Sequence, residues 1–147
     1  MKRYLAGLSL WALALSSSLA QPFDITPRQV VDMPANAATA LRGEMVDMLG
    51  NLGKAQSLSA EGKYFEAAEH IEKTMGLSAM GDHGAGVRPG MFMPSGMRVM
   101  AQGLHKSASD WANAVRTLDR KQADAALTTV LGTCAVCHQS FQLRRLP

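Results

Sequence analysis

Thr133-Cys134-Ala135-Val136-Cys137-His138-Gln139-Ser140-Phe141 is the stretch from which the rest of the chain is read. Cys134, Cys137 and His138 form C-x-x-C-H, the spacing that attaches haem c. On a helix the two thiols are three apart, and Cys134 and His138 are four apart, so all three project from one face. Two thioether bonds to the vinyl groups of a porphyrin then bring its iron to the adjoining imidazole. The sequence holds 2 cysteines in all, so a disulfide framework is not what holds the fold. A dithiol redox pair usually opens a helix after a strand, whereas this motif closes the last helical stretch. A zinc site needs further ligands, and His70, His83 and His105 are scattered.

Upstream, hydrophobic positions recur at three and four. Arg120 to Leu143 is predicted to be one helix, with Ala123, Leu127, Val130, Leu131, Cys134, His138 and Phe141 as its apolar stripe. Pro94-Ser95 opens another, with Ser95 as a candidate N-cap. Its stripe is Met97, Met100, Ala101, Leu104, Ala108, Trp111, Val115 and Leu118. A short helix spans roughly Tyr64 to Thr74, with Phe65, Ala68, Ile71 and Met75 apolar and His70 at the surface. A further helix starts at Ala35, with Leu41, Met45, Met48, Leu49 and Leu52 on one face. Residues 76–94 are rich in Gly, Pro and Met and read as a loop. No run shows the alternation of a strand. Four amphipathic helices with mostly short connections predict an all-α, antiparallel four-helix bundle.

The chain begins with Met1-Lys2-Arg3, an uncharged run from Tyr4 to Leu15, and Ser18-Leu19-Ala20. That is the three-part form of a secretory signal peptide, cleaved after Ala20. Its apolar run is too short for a comfortable membrane span, and no later segment qualifies. Residues 21–35, with three prolines, form an extended lead-in, and 36–147 form the domain. The mature chain would hold 147 − 20 = 127 residues, enough for one domain with a modest core. Lys+Arg falls from 15 to 13 against 12 Asp+Glu, leaving +1. Nothing in that balance points to nucleic acid. An exported protein also suits haem attachment, which bacteria perform outside the cytoplasm.

A four-helix chain with C-x-x-C-H near its C-terminus resembles the class II c-type cytochromes, the family of cytochrome c-prime and its low-spin relatives. The resemblance rests on Thr133 to Phe141 and the following Arg144, and matches helix order along the mature chain. It implies a periplasmic monohaem protein that passes single electrons to redox partner proteins and turns over no substrate. Cys134 and Cys137 would hold the haem, His138 would bind iron, and Phe141 would cover the proximal side. In the family the first helix faces the other side of the haem. Low-spin members place a Met there, and cytochrome c-prime leaves the iron open to NO or CO. Arg42 corresponds to the family Arg that pairs with a haem propionate. The family pattern would put Val46 over the iron, four after Arg42, whereas the apolar stripe favours Met45, with Met48 as second choice. Homodimers occur in the family.

Two further readings stay open. Met91, Met93, Met97 and Met100 crowd the loop and the start of the next helix. Thioethers at that density suit Cu(I), with His83 assisting, or could supply the iron ligand from a second helix. His105, at the edge of its stripe, is another candidate ligand. Trp111 is expected to be buried against the haem.

Overall fold

The computed structural model describes residues 27–80 and 86–147. The signal-peptide reading, residues 21–26 of the lead-in and His83 lie outside them. The elements run β1 (Gln29–Pro34), α1 (Ala35–Ala60), α2 (Tyr64–Thr74), α3 (Ser95–Arg116), α4 (Arg120–Ser140) and β2 (Phe141–Leu146). Short 3₁₀ turns at Leu77–Ala79 and Pro89–Phe92 give form to the expected loop. The chain is mainly helical, as the periodicity implied. Among the described residues no helix is long and apolar enough to cross a membrane.

The strand pair corrects the sequence reading. β1 and β2 pair in parallel, with Gln29 opposite Phe141 and Pro34 opposite Leu146. The lead-in is therefore ordered from Gln29, and the last helix stops at Ser140 rather than Leu143. Val31 and Met33 are buried while Val30 and Asp32 are exposed. That alternation is the period of a half-buried strand, too short to stand out against the prolines around it. Ser95 does not cap α3 either. Pro94 holds the N-cap position, without a side-chain bond, and Ser95 is the first helical residue.

Two tight corners set the helix order. α1 ends with Gly62 at φ 78°, and α3 ends with Leu118 at φ 60°. At each, two backbone bonds close the last turn: Lys63 N to Leu58 O (2.9 Å) with Gly62 N to Ser59 O (3.1 Å), and Asp119 N to Ala114 O (2.9 Å) with Leu118 N to Val115 O (3.1 Å). Both are Schellman closures. Asp119 then caps α4 by accepting from Gln122 N at 2.9 Å.

The main core joins α2 and α3 with the second half of α1 and the middle of α4. Ala55, Ala67, Ala68 and Ala112 are fully buried there, so the helices approach closely around Ile71, Met75, Leu104, Trp111 and Val130. A large apolar side chain buried this way contributes roughly 1.5–3 kcal/mol. A second, smaller core of Val31, Met33, Ala37, Leu41 and Met97 lies under the strand pair. Helices α1 and α4 barely touch. Val130 is the one buried residue on α4. The expected stripe of α1 is likewise covered at its two ends only: Leu41 and Leu52 are buried, whereas Leu49 is 71% exposed.

Candidate functional site

The space between α1 and α4 opens into a cleft of about 630 Å³ above the second core, within the roughly 300–1,000 Å³ range of cofactor sites. The first turns of α1 supply Ala38, Leu41, Arg42 and Met45. Met93 and Met97 come from the entry to α3, and Cys137 and His138 from the last turn of α4. Phe141, Leu143 and Arg145 follow from β2. Because side chains alternate along a strand, the stop at Ser140 turns those three toward one face, and Gln142 also reaches the cleft. Arg144 points the other way and pairs with Asp32.

Most residues singled out from the sequence meet here. Arg42, Met45, Cys137, His138 and Phe141 all line the cleft, and Cys134 lies one helical turn before Cys137. Met48 does not line it and packs on the main core. Arg28, Leu143 and Arg145 were missed. Their sequence signal is the alternation of Phe141, Leu143 and Arg145, and of Val31 and Met33.

Both cysteines are free thiols. Burial pushes the Cys134 thiol above its ordinary value. Burial, with the neighbouring Cys134 adding to it, does the same to Cys137. Both sit in the final turns of α4, where the negative end of the helix dipole further disfavours a thiolate. Burial and the helix dipole thus act in the same direction, against thiolate formation at this pair. Among the described residues no three His, Cys, Asp or Glu side chains gather as a metal cage would require. What the cleft gathers is a single imidazole, three thioethers and an apolar wall.

Its electrostatics are one-sided. Arg28, Arg42 and Arg145 line the cleft and no carboxylate does. None of the three makes an ion pair or hydrogen bond among the described residues. Three guanidinium groups around one apolar opening repel one another, and an anionic edge on a bound group would relieve that repulsion.

The other candidates lie elsewhere. His105 Nδ1 is 2.8 Å from the Met75 carbonyl oxygen, tying α3 to the end of α2. His70 is half-buried rather than at the surface, with its Nε2 shut off from solvent. Burial, followed by the charge of Lys54, lowers its pKa. Trp111 is buried as expected, yet in the main core and away from the cleft. Comparison of the chain with protein-family models, with curated proteins and with solved structures found no match in any of the three.

Proposed function

We propose that the chain is an exported, monohaem c-type cytochrome of the class II kind that carries single electrons between periplasmic redox proteins. The observation that carries this reading is one cleft holding Cys137 and His138 on its α4 wall and Met45 on its α1 wall. The residues fit the group. α1 and α4, the two walls that barely touch, leave room for a flat apolar plate, and Ala38 keeps one wall low. On this reading the sequential helices would surround that plate as the antiparallel bundle expected from the sequence.

When bound, haem supplies a one-electron couple at its iron. Cys134 and Cys137 would hold it by thioether bonds. His138 would offer a ring nitrogen to the iron from the α4 side. Met45 would offer its thioether from the α1 side, and His/Met ligation raises the reduction potential toward that of electron carriers. Phe141, Leu41 and Leu143 would help exclude water from the bound group, which would further favour its less charged, reduced state. Arg28, Arg42 and Arg145 would neutralise the carboxylate edge. Covalent attachment also adds apolar area to a small core.

A second reading is a high-spin protein that binds NO or CO. It is favoured by Met45, which is 36% exposed at the cleft rim and so not locked by packing. Expression with haem-maturation machinery, followed by acid extraction and an optical spectrum of the reduced protein, tests both. Haem retained after extraction with sharp low-spin bands is the expected result. Broad bands would favour the gas-binding reading, and a colourless polypeptide of unmodified mass would overturn both.

A further inference from the structure

A second cavity of about 320 Å³ lies at the other end of the molecule. It takes residues from the end of α1, the start of α2, the end of α3 and the start of α4, whereas the cleft takes the opposite ends. Gln56 and Met45 are 11 positions apart on α1, so the two sites are separated by about 16 Å along the helix. Tyr64, Trp111, Val115 and Leu127 make its apolar walls and Leu118 its rim, while Ser59, Asp119, Arg120 and Asp124 line its polar side.

Two independent features of this cavity are unexplained by packing. The first is a stranded donor. Gln56 lines the cavity, and its Nε2 is buried with no hydrogen-bond partner. Leaving a donor unmet costs on the order of 1–3 kcal/mol. One water could accept from it, but a water takes only about 30 Å³, a small part of the space. The second is Leu118. It holds a left-handed backbone, φ 60°, in a region that side chains other than glycine rarely adopt. The matching corner at the end of α1 uses Gly62 for the same closure. At Leu118 the chain keeps a side chain despite the strain, and that side chain is 67% exposed while lining the cavity. Strain kept at an exposed apolar rim is characteristic of ligand sites.

We propose that this cavity is a binding site for a small planar aromatic molecule bearing a carbonyl-type acceptor, of which a substituted quinone is the type. Gln56 Nε2 donates to the carbonyl oxygen. Tyr64 and Trp111 supply aromatic surface for the ring, and Leu118 closes over its edge. The site is independent of the haem reading, because none of its residues lines the cleft.

The test is titration calorimetry of the intact, oxidised protein with duroquinone, whose fully substituted ring resists thiol addition. Saturable binding at one site is expected. Gln56→Leu should weaken it about tenfold, the loss of one hydrogen bond, without loss of thermal stability, since it removes an unmet donor. Leu118→Gly should weaken binding at least about threefold while raising thermal stability, a pairing that a purely structural role would not produce. Met45→Leu, in the cleft, should leave binding unchanged. No saturable binding, equal affinity in Gln56→Leu and Leu118→Gly, or loss of binding in Met45→Leu would each overturn the proposal.

Discussion

Asp32 and Arg144, 112 positions apart, are joined by a two-pronged ion pair: Arg144 Nη2 donates to Asp32 Oδ2 at 2.6 Å, and Nε donates to Oδ1. They are directly opposite in the β1·β2 register. The pair fastens the segment before α1 to the segment after the cysteine-bearing helix, so both ends of the described chain frame the same cleft.

That clasp should loosen in acid. The Arg144 guanidinium, by hydrogen bonding, holds the Asp32 carboxyl below its ordinary value. A carboxyl whose pKa is lowered on folding stabilises the fold above its unfolded value, and the contribution is lost as pH falls through the folded value. The window is therefore below about pH 4. Both partners are largely exposed, so salt weakens the pair as well. Hydrogen-exchange protection of the amides in residues 29–34 and 141–146 should drop between pH 6 and pH 3, with the main core unaffected. Asp32→Asn should show the lowered protection already at pH 6. Clasp protection that does not change with pH would show that the strand ladder alone holds these ends.

The two corners predict opposite responses to mutation. Gly62 and Leu118 close their helices by the same pair of backbone bonds, but a left-handed conformation costs a residue other than glycine about 1–2 kcal/mol. Leu118→Gly should therefore stabilise the protein by about 1 kcal/mol, because an exposed leucine gives up little burial. Gly62→Ala should destabilise it by a similar amount. Thermal denaturation of the two variants checks this. A lower melting temperature for Leu118→Gly would mean that the leucine side chain contributes more than its backbone strain takes away.

Gly76 is constrained by crowding rather than by φ. A Cβ there would stand 2.5 Å from Glu72 Oε2 and 2.8 Å from the Glu72 carbonyl oxygen. Glu72 is already committed. Its Oε2 accepts from Ser109 Oγ at 2.6 Å, and its Oε1 accepts from Ser78 Oγ at 2.6 Å and Ser78 N at 3.1 Å. Burial alone would push this carboxyl up, but the bonds from Ser109 and Ser78 hold it below its ordinary value. Gly76→Ala must displace the carboxylate and strain the backbone, with an expected loss of roughly 1–3 kcal/mol. Chemical denaturation measures it. Wild-type stability in Gly76→Ala would mean that the end of α2 shifts freely, against its hydrogen bonds to Ile71.

The parts of the architecture that depend on near neighbours were legible in the sequence. The motif gives Cys134, Cys137 and His138 one helical face, and the period of three and four located α2 to within a residue. The strands were not, because β1 finds its partner more than a hundred positions away and no local pattern announces a parallel pair. Arg28 and Arg145 were lost with them. Leu49 illustrates a different failure. Its position on an apolar stripe is read correctly, but periodicity says only that a face is apolar, not what covers it. That face belongs to a helix that its neighbour α4 leaves uncovered. Trp111 was placed against haem from its position on an apolar stripe, whereas the side chain packs about four turns of α3 beyond Met97, the α3 residue at the cleft.

On the proposed haem reading, the methionines around the cleft would decide between a low-spin carrier and a high-spin gas-binding protein. Met45 reaches it from α1, while Met93 and Met97 reach it from the entry to α3. Met97 is buried in the second core and is held there by packing. Met93 is partly buried against the same core, with its carbonyl taken by Arg98. Met45, at the rim, is the one that would be free to swing toward an iron if His138 held one on the opposite wall. Replacing it with leucine keeps the volume and removes the sulfur, so stability should change by less than about 1.5 kcal/mol. In the haem-loaded protein Met45→Leu should convert a low-spin spectrum to a high-spin one, lower the reduction potential, and admit CO to the iron. Met48→Leu and Met97→Leu should leave all three unchanged. If Met93→Leu produces the conversion and Met45→Leu does not, the ligand comes from the approach to α3, and the α1 wall serves only to exclude water.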